Sequence, residues 1–389
     1  MISISRLLCD TVSPGDHLRY REKASSNAGE SPRPVVVWNC TRQCNLSCVH
    51  CYASAGGRKS PGEMDDAAGR AFLNNLVEFG VPVILFSGGE PLLRDGFFEL
   101  AAYARQQGLR TALSTNGTLI DKEAAGKIKE IGFAEVGISL DGTDSNNDHF
   151  RGKNGAYRAA LDGIRNCLAR GLRVSLRMTV TRLNYQEIPA ILRLVEDEGI
   201  DRVCFYHLAY SGRGSGLHQD DISHAQTRSI VDLICERTLD MHRRGLRKEI
   251  LTVGNHADGV YLYLKARQQD PPRAEKILVL LKMNGGNNSG IRIGAVDDRG
   301  NVHPDQFWWH YSLGNVLDRK FGEIWTDASE PLLQGLRNRK KLLKGRCALC
   351  RYLDVCNGNL RVRAEAVYGD VWAPDPACYL SDEEIGLAK

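Results

Sequence analysis

The sequence predicts an α/β protein, a series of parallel βαβ units followed by a smaller cysteine-bearing region. Two observations carry this. Six short apolar or β-branched runs alternate with helical patterns between Val35 and Leu208, an order that makes parallel strands joined by right-handed crossovers. Seven of the twelve cysteines fall into two tight groups, one just after the first run and one near the C-terminus. In a reducing compartment such groups mark metal ligation more often than disulfides.

Taken in order, residues 1–33, which run into "KASSNAGESPRP", read as an N-terminal extension ending in a loop, so regular structure is expected from Val35. The strand runs are "PVVVWN", "VPVILFS", "RTALSTN", "AEVGISLDG", "LRVSLRMTV" and "DRVCFYHL". Between them, helical periodicity covers Asp65 to Phe79, Phe97 to Gln107, Lys122 to Ile131, Tyr157 to Ala169 and Glu187 to Glu198. This barrel-like unit spans 34–211. Residues 212–290, broken by "GRGSG", "QQDPPR" and "NGGNNSG", read as a connecting region with one long helix from Thr227 to Arg244. Residues 291–389 open with the alternation of "IRIGAVDDRGNVHPD", a predicted β-hairpin, and end in the second cysteine group.

Composition narrows the function. With 42% hydrophobic and 25% charged residues over 389 positions, the protein is of the globular class. A net charge of +4 is too mild for a nucleic-acid binder, although the surplus of arginine suits an anionic small molecule. No apolar run approaches the roughly 18 to 20 residues that span a bilayer, and the start, "MISISRLLCDTVSPGD", lacks the long apolar stretch of a signal peptide. A cytoplasmic protein without nucleic-acid or membrane partners is therefore expected.

In "WNCTRQCNLSCVHCYASAGG", Cys44, Cys48 and Cys51 are spaced C-x3-C-x2-C. Three thiolates neither close a tetrahedral zinc site nor fill the four cysteine positions of a cubane cluster, so one iron would stay open. Zinc completed by His50 or Cys40 is the alternative. Further polar motifs end the later strands: "SGGEP" with Gly88, Gly89 and Glu90, "STNGT" with Asn116, "ISLDG" with Ser139, then "HFRG" with Arg151, and Arg177 on the fifth run. Taken alone, the glycine motif would be a turn and Arg151 a surface ion pair. Together with the cysteine spacing, the series resembles the radical SAM family. That resemblance implies a partial (β/α)6 TIM barrel and a [4Fe-4S] cluster on Cys44, Cys48 and Cys51. Its open iron would chelate S-adenosylmethionine (SAM). Gly88, Gly89 and Glu90 would lie at the methionine amine, Ser139 and Arg151 at the carboxylate, Tyr52 at the adenine, and Asn116 and Arg177 would offer polar contacts. Reduction of the sulfonium yields a 5′-deoxyadenosyl radical that abstracts a substrate hydrogen. Cys40 falls outside the family spacing and is expected to be a bystander.

Cys347, Cys350, Cys356 and Cys378 follow C-x2-C-x5-C-x21-C, and four thiolates can close a site fully. A zinc ribbon is again the alternative. The pattern resembles the C-terminal SPASM or twitch extension of radical SAM enzymes, which implies an auxiliary [4Fe-4S] cluster. Complete SPASM domains carry further cysteines where this protein has Leu360 and Asp305, so a single auxiliary cluster is expected.

The stretch "GNVHPDQFWWHYSLGNVLDRKFGEIW", with "VVVWNCTRQCNL" and "GGNNSG", resembles the radical SAM enzymes of heme d1 biosynthesis, from about residue 33 to the C-terminus. Those enzymes remove two propionate side chains from 12,18-didecarboxysiroheme; relatives in the alternative heme pathway remove acetates. The implied partners are this tetrapyrrole and an external electron donor of the flavodoxin or ferredoxin type. His303, His310 and His207 are the candidate catalytic residues, to protonate substrate or ligate its iron. Trp308, Trp309, Tyr311, Tyr210 and Arg213 could face a carboxylated macrocycle. Two other readings are a SPASM maturase acting on a peptide, whose usual clamping domain 33 residues are too few to form, and a non-enzymatic electron carrier, which leaves the strand-end motifs unexplained.

Overall fold

The computed structural model describes residues 1–20 and 33–387. All of "KASSNAGESPRP" except Arg33 and Pro34 lies outside the described residues. Eleven strands form one sheet: β1 (Ile2–Ser3), β2 (Val35–Thr41), β3 (Val83–Gly88), β4 (Arg110–Thr115), β5 (Val136–Ser139), β6 (Val174–Val180), β7 (Arg202–His207), β8 (Glu249–Val253), β9 (Ile293–Val296), β10 (Asn301–His303) and β11 (Gly314–Asn315). Their spatial order is β1-β8-β7-β6-β5-β4-β3-β2-β9-β10-β11. The six expected strands, β2 to β7, all run parallel.

Within these strands the pleat separates two environments. Trp38, Phe86, Leu113, Ile138, Met178 and Phe205 belong to the apolar core. Their neighbours in sequence, Val37, Leu85, Ser114, Ser139, Arg177 and Tyr206, line the lumen. Helices bracket the strands within about a residue or two of the expected spans, among them Asp66–Phe79, Lys122–Ile131 and Ala156–Ala169. Asp65 and Asp121 cap the first two by accepting from the backbone N–H three residues on.

Two expectations about the regions flanking the six-strand series are corrected. Regular structure begins at Ile2 rather than at Val35, because β1 pairs antiparallel with β8 and Ile2, Ile4 and Leu7 are buried. The region 212–290 also contributes to the sheet, since β8 adds a further parallel strand beside β7. The predicted hairpin is present as β9 and β10, Val302 facing Val296. Its first strand lies parallel against β2, which carries the C-terminal segment straight onto the edge of the barrel sheet. Among the described residues no helix is long and apolar enough to cross a membrane.

Candidate active site

Every strand-end motif except the Glu90 carboxyl meets in one cavity of about 190 Å³, at the C-terminal ends of the parallel strands. Its wall holds Cys44, Cys48, Cys51, Tyr52, Gly88, Gly89, Asn116, Ser139, Arg151, Arg177 and His207. The three cysteines stand on the loop leaving β2, and that loop is pinned from several sides. Cys44 N–H donates to the Gly56 carbonyl (2.7 Å), and Ser47 and Val49 donate to the Arg151 and Phe150 carbonyls (both 3.0 Å). Arg213 donates to the carbonyls of Cys48 and Ala55, both at 2.8 Å. Arg213 thus shapes the cysteine loop, a role that only its three-dimensional neighbours reveal.

Gly88 and Gly89 exist for the same loop. A Cβ on Gly88 would lie 2.3 Å from the Thr41 oxygen and one on Gly89 2.2 Å from the Gln43 oxygen; Gly88 also holds φ +126°. Any side chain would push the loop out. Glu90 is absent from the cavity wall. It is fully buried, and its carboxyl accepts from Thr115 Oγ1 (2.7 Å) and the Asn116 N–H (2.8 Å). Burial pushes that carboxyl up to about 7. In this structure it ties the end of β3 to that of β4, behind the cavity wall.

Charge on the wall is carried by three arginines, Arg151, Arg177 and the loop-holding Arg213. Arg151 binds Asp141 (2.6 Å) and places Nη1 3.7 Å from the Cys48 sulfur, while its buried Nε has no partner among the described residues. Asp141 also faces His50 Nε2 at 3.2 Å. Arg177 donates to Ser114 (2.7 Å), and its guanidinium passes over Gly137, where a Cβ would lie 2.2 Å away. The Tyr52 hydroxyl joins Asn39 and Ser87 (both 3.1 Å), leaving its ring on the wall, edge-on to Phe307. Asn116 bridges to Asn45 (2.8 Å). Cys40 is fully buried and outside the cavity, its thiol directed at the Ser87 carbonyl.

Of the three candidate histidines, only His207 reaches the cavity. His303 is buried inside the hairpin, its Nδ1 donating to the Tyr311 carbonyl (2.7 Å) and its Nε2 3.6 Å from Asp297. His310 is more than half exposed and pairs with Glu365 (2.8 Å), which raises its pKa. Strand alternation and the turn after Pro304 direct both side chains elsewhere. The tryptophans behave likewise: Trp308 is fully buried and Trp309 lies beneath Arg42 and beside His303. Their neighbours Gln306 and Phe307 enter the cavity instead. Tyr210 donates to Asp221 and Tyr311 to Glu330, and neither lines the wall.

Cys347, Cys350, Cys356 and Cys378 surround a second, small void together with Val260, Tyr352, Leu353 and Leu380. Burial raises the Cys378 thiol to about 11 and that of Cys356 further. Leu360 and Asp305 both line a separate cavity of about 400 Å³ at the opposite end of the lumen. Among the described residues, no three cysteine, histidine or carboxylate groups converge on a single-ion site. Three thiols in one cavity wall and four around another void suit groups several atoms across. Burial raises the Cys48 thiol, and the positive Arg151 beside it works against that rise, as suits a ligand thiolate.

The family description of the radical SAM superfamily matches residues 38–195. This protein belongs to the radical SAM family, whose members use a [4Fe-4S] cluster and SAM, and it is a radical SAM enzyme. Among its relatives, Fe-coproporphyrin III synthase of Methanosarcina barkeri is 55% identical over 99% of both proteins. Pre-heme d1 synthase of Dinoroseobacter shibae is 45% identical over 92% of this sequence and 89% of its own. AdoMet-dependent heme synthase of Nitratidesulfovibrio vulgaris is 31% identical over 88% and 91%. The fold is that of SuiB from Streptococcus suis (TM-score 0.71, 18% identity, 90% and 76% coverage) and of anSMEcpe (TM-score 0.70, 20% identity, 92% and 97% coverage).

Proposed function

We propose that this enzyme removes peripheral carboxylate side chains from an iron tetrapyrrole, 12,18-didecarboxysiroheme, and that the groups leaving are the two acetates, giving Fe-coproporphyrin III. The observation that carries this reading is the 55% identity, end to end, to the Methanosarcina Fe-coproporphyrin III synthase. Removal of the two propionates on the way to heme d1 is the second reading, supported by the 45% identity to Pre-heme d1 synthase.

In this reading Cys44, Cys48 and Cys51 hold the cluster at which SAM binds, and Cys347, Cys350, Cys356 and Cys378 hold one auxiliary [4Fe-4S] cluster. Cluster and SAM supply a carbon radical that takes a hydrogen atom from the substrate. The protein's own residues do the remaining work. Arg213 and the glycine pair hold the cysteine loop in place. Arg151 and Ser139 receive the SAM carboxylate, for which a guanidinium is suited, and Tyr52, Asn116 and Arg177 complete the polar wall. Phe307 and Gln306 close the side toward the lower lumen and keep water from the radical. Of the three candidate histidines, His207 is the one on the wall, and it serves as the proton donor. A small iron–sulfur or flavin protein of the cytoplasm would deliver the electrons.

Anaerobic incubation with SAM, dithionite and didecarboxysiroheme, followed by mass spectrometry, tests the reading. The expected result is 5′-deoxyadenosine together with loss of two acetate units. Loss of propionate carbons would establish the second reading, and an unchanged macrocycle would refute both.

A further inference from the structure

His207 does not stand alone. Its Nε2 lies 2.9 Å from Asp258 Oδ2, and Asp258 Oδ1 accepts from the Tyr379 hydroxyl, also at 2.9 Å. Asp258 is wholly buried, in the first turn of the helix Ala257–Gln269, where the helix dipole favours a carboxylate. Tyr379 is 3% exposed and directly follows Cys378 in sequence. The flanking Ala257 and Val260 of the same helix line the void of the second cysteine group. Three hydrogen-bonded side chains therefore run from the wall of the active-site cavity to the edge of the second cysteine site.

We propose that Asp258 is the positioning residue that makes His207 the proton donor to the departing side chain, with Tyr379 anchoring Asp258 to the second cysteine site. The inference rests on the side-chain-removal reading above. With an unpaired electron on the adjacent ring carbon, the C–C bond that joins the departing group to the ring breaks homolytically. One of its electrons completes a ring C=C bond, and the other leaves with the carboxymethyl fragment. That fragment becomes acetate by taking one electron from a low-potential one-electron donor, of the iron–sulfur or flavin class, and one proton. With Nε2 engaged by the Asp258 carboxyl, Nδ1 is the ring nitrogen left to hand a proton to the substrate. His207 Nδ1 has no protein partner among the described residues, and the ring lines the cavity. The charged groups sharing that wall are engaged: Arg151 with Asp141, Arg177 with Ser114 and Arg213 with loop carbonyls. None of them competes with Asp258 for the imidazole.

The test uses the cluster-loaded, full-length enzyme and the variants Asp258→Asn, Tyr379→Phe and His207→Gln, with two readouts. In turnover with didecarboxysiroheme, Asp258→Asn should lower product kcat by about a hundredfold, with KM and iron content unchanged. Formation of 5′-deoxyadenosine should continue, uncoupled from acetate release. In ¹⁵N NMR of histidine-labelled protein, assigned with His207→Gln, the neutral His207 ring should change from the Nε2–H tautomer to Nδ1–H in Asp258→Asn, whose amide donates to Nε2. Tyr379→Phe should uncouple in the same direction with less effect, and it carries the test if Asp258→Asn does not fold. Wild-type coupling and an unaltered tautomer in Asp258→Asn would overturn the proposal, and wild-type coupling in Tyr379→Phe would remove the link to the second site. If the unaltered enzyme makes no product from this macrocycle, the functional reading fails while the tautomer still decides the positioning role.

Discussion

Glu90 illustrates how a motif residue is used by the fold. Its carboxyl joins two strand ends through Thr115 and Asn116 and is pushed by burial from its ordinary value of 4.5 to about 7. The folded protein therefore holds this proton more tightly than the unfolded one. The stability it contributes is complete below pH 4.5 and is lost as the pH rises through 7. Glu90→Gln should flatten the dependence of Tm on pH across that window, measured by scanning calorimetry at a series of pH values. An unchanged slope would show that other groups dominate. That Gly88 and Gly89 accompany it was legible as a motif, but the reason is that the carbonyls of Thr41 and Gln43 occupy the space a side chain would need. No local pattern announces such an approach between segments more than 40 residues apart.

At the scale of elements, the far end of the barrel is held by one carboxylate shared among several strands. Glu249, opening β8, is paired with Arg19, with Arg173 (2.6 Å) next to β6, and with Arg202 (2.7 Å) opening β7. Its side chain is 3% exposed, and the surrounding arginines hold its pKa below the ordinary carboxylate value despite burial. Glu249→Ala would leave these guanidinium groups facing one another and should cost about 3–5 kcal/mol, seen as a lower midpoint in urea at pH 7. A loss below about 1 kcal/mol would mean that Glu135, which pairs with Arg173 and Arg202, takes over. This is also where the sequence was hardest to read. "EILTV" is short and flanked by charge, so it carries little periodicity. β1 is two residues long and becomes a strand only because the edge of β8 is there to pair with it.

For the whole molecule, the question is how the second cysteine site is joined to the barrel. The buried pair Arg363–Asp375 (2.8 Å) provides the joint. Arg363 donates to the Leu208 carbonyl just beyond β7 (3.1 Å) and to the Gly254 carbonyl just beyond β8 (2.7 Å). Asp375 lines the second void. The two sites are thus fastened to the same strand ends, and the hydrogen-bonded series through His207, Asp258 and Tyr379 lies between them. Cys356→Ala should reduce iron from about eight to about four atoms per molecule while leaving SAM cleavage in place, measured by iron analysis and by 5′-deoxyadenosine formation. Loss of all iron would mean that the second site is needed for the first to assemble.

By itself the sequence determined the parallel α/β series, the two cysteine groups and the membership of the strand-end motifs in one site. Each of these is written in short-range spacing, and a parallel sheet gathers its strand ends at one edge whatever the details. Only the tertiary structure decided which side chains face the cavity. Three histidines were equivalent in the sequence; strand direction and hairpin packing leave His207 on the wall and turn His303 and His310 away. Tertiary structure also brought Asp258 and Tyr379, 51 and 172 positions further along the sequence, into line with His207. Contacts of that range depend on how whole elements pack, which no local pattern of residues encodes.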